Sequence, residues 1–120
     1  MSFGDAIKTC FSKYATFDGR ASRAEYWWFA LFYAIVYIAA FVIDLVAKTR
    51  FVFILIVSLG FLLPTLAAGV RRLHDIGKSG WWYFISLVPF IGGIWLLVLM
   101  VQAGTPGQNQ YGPPPQAVAA

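Results

Sequence analysis

Charge is scarce in this chain. Asp, Glu, Lys and Arg together make up 12% of its 120 residues, whereas 60% are hydrophobic. A soluble domain of this size cannot hide so much apolar surface, and the mean hydropathy of +0.71 points to lipid as the solvent. Cysteine occurs once, at Cys10, so no intrachain disulfide and no multi-cysteine metal site can form. Histidine also occurs once, at His74, and one His with one Cys cannot complete a metal centre within the chain. No cofactor is therefore expected. No cleavable signal peptide is expected either, because the first apolar run is long and ends at Asp44–Lys48 without a small-residue cleavage pattern. The formal net charge of +4 does not read as nucleic-acid binding, since the basic residues flank apolar runs instead of lining a polar face.

What is abundant is apolar sequence in three long runs: Tyr26–Ala47, Phe51–Val70 and Trp81–Ala103. Each has the roughly 20 residues that a helix needs to cross about 30 Å of hydrocarbon. The expectation is an all-α integral membrane protein with three transmembrane helices, over 23–47, 51–75 and 80–103. A short amphipathic helix over 3–15 precedes them, with Phe3, Ile7, Cys10, Phe11 and Tyr14 on one face, lying on the inner leaflet. Residues 1–103 form one membrane domain, and 104–120 an irregular Gly/Pro-rich tail. Ser2-x-x-Asp5 and Ser22-x-x-Glu25 are capping boxes for the first two helices. Pro64 should bend the second run.

Seven of the nine Lys and Arg residues lie before run one or in the turn after run two, against Lys48 and Arg50 in the first turn. The excess marks the cytoplasmic side, so the N-terminus is placed in the cytoplasm and, with three crossings, the C-terminus in the periplasm. A hairpin in run three, bent at Pro89, Gly92 and Gly93, would instead return the tail to the side of the charged segments. Half-length hairpins expose unpaired backbone to lipid, so the spanning form is expected.

The charge that exists is concentrated in RRLHDIGKSGWW, residues 71–82. Two readings stay open. One is an interfacial turn whose Arg and Lys anchor the helices by snorkelling. The other is a site for a lipid head group or another anion. Arg20, Arg23, Arg71, Arg72 and Lys78 would contact the anion, with Glu25, His74 and Asp75 orienting them. Membrane lipids, anionic phospholipid among them, and a second copy or another membrane protein are the candidate partners. Catalysis is not expected. His74 with Asp75 or Glu25, and Ser79 or Ser22, could be arranged as base and nucleophile, but no spacing matches a nucleophile elbow, a zinc motif or a phosphate loop. Asp44 is a carboxylate near the outer end of run one. It reads as an i,i+4 partner of Lys48, or alternatively as the coupling residue of a homo-oligomeric small transporter or channel.

The boxes FDGRASRAEYWWF (residues 17–29) and RRLHDIGKSGWW, with the tail GTPGQNQYGPPP, resemble the bacterial inner-membrane family known as domain-of-unknown-function family 805. The matching positions are Gly19, Arg20, Arg23, Glu25, Tyr26 and Trp27, then Arg71–Asp75, Gly77, Ser79, Gly80 and Trp81, and in the tail Asn109, Tyr111, Gly112 and Pro113. Gln110 departs from the basic residue that members often carry there. The resemblance implies a small multi-pass protein of the bacterial cytoplasmic membrane and supplies neither a reaction nor a ligand. It also brings the head-group or interaction reading of the ordered charged boxes close to level with simple anchoring.

Overall fold

The computed structural model describes residues 2–114. It is all-helical in the order α1 (Phe3–Ser12), α2 (Arg23–Ala47), α3 (Val52–Asp75), a 3-10 helix (Gly80–Leu87) and α4 (Gly92–Val101). Of these, α2 and α3 are long and apolar enough to cross a membrane. They pack side by side as an antiparallel hairpin with a short turn.

Local chemistry sets the helix ends. Ser2 and Ser22 accept hydrogen bonds from the Asp5 and Glu25 backbone N–H groups, both at 3.1 Å. These caps satisfy donors that a helix start leaves free. The reciprocal half of the second capping box is diverted, because the Glu25 carboxylate turns to Arg71. The first helix stops at Ser12, one turn short of the expected residue 15. Beyond it, the Tyr14 hydroxyl still donates to the Gly60 carbonyl at 2.8 Å. Helix α3 continues through Pro64.

The third apolar run departs from expectation. It is not one spanning helix over 80–103 but a hairpin of a 3-10 helix and α4, joined at Val88–Ile91. Three features explain the break. Pro89 has no N–H to continue a helical ladder. Phe90 turns the chain with φ of 68°. Gly92 lies so close to the Ile85 carbonyl that a Cβ would collide with it. Hydropathy measures how much apolar sequence is present, not whether it is continuous helix. With this short hairpin in place of a third long helix, residues 102–114 return to the end of the α2–α3 hairpin that carries both charged boxes. The expected periplasmic C-terminus rested on a third spanning helix, in whose place the structure has this hairpin.

Two cores hold this arrangement. Cys10, Phe29, Phe61 and Ala68 join α1 to the α2–α3 hairpin. Leu73, Leu99 and Met100 join α4 to α3, with Tyr26, Trp27 and Tyr83 against them. The Trp27 indole donates to the Met100 carbonyl at 3.1 Å, which pins the end of α4 to the start of α2.

Candidate functional site

Both charged boxes and the returning tail meet at one end of the molecule. Arg20, Glu25, Arg71, Arg72 and Asp75 are all buried there. Burying a charge is costly unless it is paired and hydrogen-bonded, and each of these side chains has such partners.

Asp75, the last residue of α3, is the hub. Its Oδ1 accepts from Arg20 Nε at 2.9 Å and its Oδ2 from Arg72 Nη1 at 2.8 Å. The remaining Arg20 donors reach backbone carbonyls: Nη1 to Gly107 at 2.7 Å and Gly112 at 3.3 Å, Nη2 to Thr105 at 2.6 Å and Asp75 at 3.3 Å. A guanidinium has five N–H donors, and these five bonds occupy its fork. Arg72 donates through Nε to the Met100 carbonyl at 3.1 Å and through Nη2 to that of Gln102. The Thr105 N–H completes the seam on the Asp75 carbonyl at 2.7 Å. A Cβ at Gly104 would strike the Asp75 carboxylate, so that close passage requires glycine.

A second pair sits beneath α1. Arg71 Nη1 pairs with Glu25 Oε2, and Nε donates to the Thr16 carbonyl at 3.1 Å. Arg71 Nη2 is buried with no hydrogen-bond partner among the described residues. The Arg71 carbonyl accepts from the Ala21 N–H at 3.0 Å. Cys10 Sγ lies 3.8 Å from Glu25 Oε2. Burial, and then the neighbouring Glu25 charge, push its thiol up to about 12.

The head-group set expected from the sequence therefore divides. Arg20, Arg71 and Arg72 face inward, toward carboxylates and carbonyls. Arg23 is exposed, with Nη1 3.4 Å from the Val101 carbonyl. Lys78 lies half-buried, with its Nζ 5.3 Å from the Trp82 ring centroid. Glu25 and Asp75 do orient arginines, Glu25 through Arg71 and Asp75 through Arg20 and Arg72. His74 stands apart from the carboxylates: its Nδ1 lies 2.9 Å from the Gly19 carbonyl and therefore carries the proton. Its ring stacks on Tyr111 at 3.9 Å between centroids, and its carbonyl accepts from Asn109 Nδ2 at 2.9 Å.

Asp44 lies at the opposite end of the hairpin, away from this cluster. It does not pair with Lys48. Its carboxylate accepts from the Thr49 hydroxyl, from Phe53 N–H at 3.0 Å and from Ile54 N–H at 2.9 Å. It thus caps α3 from across the turn, a service that Phe51 at the cap position cannot perform.

Sequence reasoning missed the carbonyl acceptors of the cluster: Thr16, Gly19, Met100, Gln102, Thr105 and Gly107. Only their backbones act, so residue identity gave little signal; Gly104 and Gly107 were the visible trace.

Residues 14–113 match the family described as Protein of unknown function (DUF805). The chain belongs to the DUF805 family. The resemblance carried by the two boxes and the tail holds. Among relatives of this DUF805 member is "Inner membrane protein YhaI" of Escherichia coli (strain K12), 43% identical over 104 residues, covering 86% of this chain and 88% of that one. "Inner membrane protein YhaH" of the same strain is 40% identical over 111 residues, covering 86% and 89%. "Uncharacterized protein YiiR" of that strain is 30% identical over 131 residues, covering 86% and 88%. No solved structure matches. By homology this DUF805 protein is a bacterial inner-membrane protein.

Proposed function

We propose that the protein is a non-enzymatic lipid-binding protein of the inner membrane, with the boxed end in the cytoplasm and an anionic phospholipid as its ligand. The orientation rests on charge: seven Lys and Arg lie at the boxed end and two, Lys48 and Arg50, at the turn. Such an excess favours the cytoplasmic side. The tail has neither residue, so its return leaves the count unchanged.

The observation that carries the ligand is a groove of about 460 Å³ between α3 and the 3-10 helix. Its floor is the α3 face Leu66, Val70 and His74, spaced i, i+4, i+8 and therefore about 12 Å long. That is close to the depth of one leaflet, about 15 Å. Phe84 and Tyr83 wall the deep part, while Ser79, His74 and Tyr111 stand at the rim. Lys78 precedes Ser79 in the chain and holds its Nζ 5.3 Å from the Trp82 ring centroid, so it is the cation next to this rim in sequence. An apolar slot with a polar rim, and with a lysine next to that rim in the chain, matches an acyl chain beneath an anionic head group. The buried arginines hold the tail, so that Tyr111 can form one wall.

Native mass spectrometry of the full-length protein released with its lipids tests this. The wild type is expected to carry an anionic phospholipid. Leu66→Trp, which fills the deep part, should lose it, and Lys78→Gln should weaken its retention. A wild type without lipid sinks the reading, and a lipid-free pair of copies would make assembly the better one.

A further inference from the structure

The α2–α3 hairpin is clad unequally along its length. All nine buried residues of α3 lie between Phe61 and Asp75, on the boxed side of its first nine residues. Its first half, and the facing end of α2, are largely exposed: Leu45, Val46, Leu55 and Ile56 each show more than half their surface. Every other element packs on the boxed half. Phe11 of α1 meets Phe29 and Phe61, with ring centroids 5.4 and 5.7 Å apart. Tyr83 of the 3-10 helix lies on Gly69, and Leu99 and Met100 of α4 lie with Leu73.

The third-run hairpin is also too short to cross. Its arms are about 16 Å of 3-10 helix and about 15 Å of α-helix, half of the roughly 30 Å hydrocarbon core. Residues 79–103 contain no Asp, Glu, Lys, Arg or His. At the tip, Phe90 is 94% exposed, and Leu87 and Ile91 are 74% and 66% exposed. An uncharged, apolar tip of this reach belongs in the hydrocarbon of the leaflet at whose surface its base is fixed.

We propose that the partner of this exposed hairpin is that single leaflet, and that the protein is a wedge which favours membranes convex on the boxed side. The boxed-side leaflet accommodates α1, both arms of the hairpin, α2 and α3; the other leaflet accommodates α2 and α3 alone. The difference is three helical rods, each about 10 Å across. A flat bilayer must absorb that mismatch by thinning or splaying lipids on the crowded side. A bilayer expanded on that side does not, and this difference between the two membrane shapes is what shifts the protein's distribution.

The test is sorting into tethers pulled from giant vesicles of phosphatidylethanolamine and phosphatidylglycerol. The full-length protein carries a small dye at its N-terminus, and an impermeant quencher reports which end faces out. With the boxed end outward, the ratio of protein to lipid dye in the tether should at least double relative to the vesicle. With the boxed end inward, it should fall below that of the vesicle. Equal ratios in both orientations, or the same sign in both, overturn the wedge. Phe90→Lys, with helix content unchanged, should draw the tip toward the head groups and bring both ratios toward equality. An unchanged ratio would overturn the hairpin as the source. Photobleaching in paired steps without sorting would replace the leaflet by a second copy. None of these outcomes depends on whether a phospholipid is retained in the groove, nor on which side of the cell is the boxed one.

Discussion

The two ends of the α2–α3 hairpin face the same problem and solve it differently. Each must end one helix and start or hold another in apolar surroundings. The turn end uses one carboxylate. Asp44 satisfies two N–H groups of α3 and the Thr49 hydroxyl, across a link in which Lys48, Arg50 and Phe51 all take left-handed φ of 55°, 55° and 68°. For such residues this conformation costs about 1–2 kcal/mol each, so the turn is short at the expense of strain. The boxed end uses five buried charges and a returning tail. It has no comparable strain, but neither carboxylate can be removed without stranding a buried arginine. The turn is a local device, whereas the boxed end is a cooperative one.

The largest break in that contrast should come from Asp75→Asn. Arg20 and Arg72 would both remain buried without their shared counter-charge, and removing one partner of a buried pair costs about 3–5 kcal/mol. The unfolding transition in detergent should shift accordingly. Limited proteolysis should cut first within 103–112, because Thr105 and Gly107 are held through Arg20 and Asp75. A variant with the wild-type transition and an intact tail would show that the network is not cooperative.

Asp44→Asn should have a smaller and local effect. The amide keeps one acceptor oxygen but loses the charge and one cap bond. Hydrogen exchange should accelerate at the Phe53 and Ile54 amides and stay unchanged at Ala21 and Thr105. Acceleration at both ends would dissolve the distinction between them. Proteoliposome flux that vanished in this variant would give Asp44 a coupling role beyond its cap.

The contrast also explains what could be read from the sequence. Helix α2 occupies Arg23–Ala47 because a capping serine precedes a long apolar run, and both signals are local. The charged boxes were visible as the one concentration of charge. Whether their arginines reach lipid or carbonyl groups was not visible, because that depends on where the tail goes. The tail's course depends in turn on whether residues 81–103 stay helical past Pro89. Composition permits both outcomes. The choice is made by tertiary contacts, such as Arg72 on Met100 and Gln102, that link residues about thirty positions apart. Asp44 shows the same limit on a smaller scale: Lys48 is the nearer partner by spacing, but the start of α3 offers two N–H donors at once.

The smallest effect sharpens the boxed end without destabilising it. Cys10 is fully buried beneath α1, between Phe29 and the Glu25–Arg71 pair. Its thiol is pushed up to about 12 from the ordinary 9.0, first by burial and then by the Glu25 charge. Such a rise leaves far less thiolate near pH 8, and the thiolate is the reacting form. Maleimide labelling in intact membranes should therefore be very slow. It should quicken about tenfold for each unit of rising pH, with no plateau before strongly alkaline conditions, and become rapid once detergent unfolds the chain. Fast labelling of the folded wild type would mean that α1 lifts from the hairpin. The Glu25–Arg71 pair would then be a covered surface and not part of the interior.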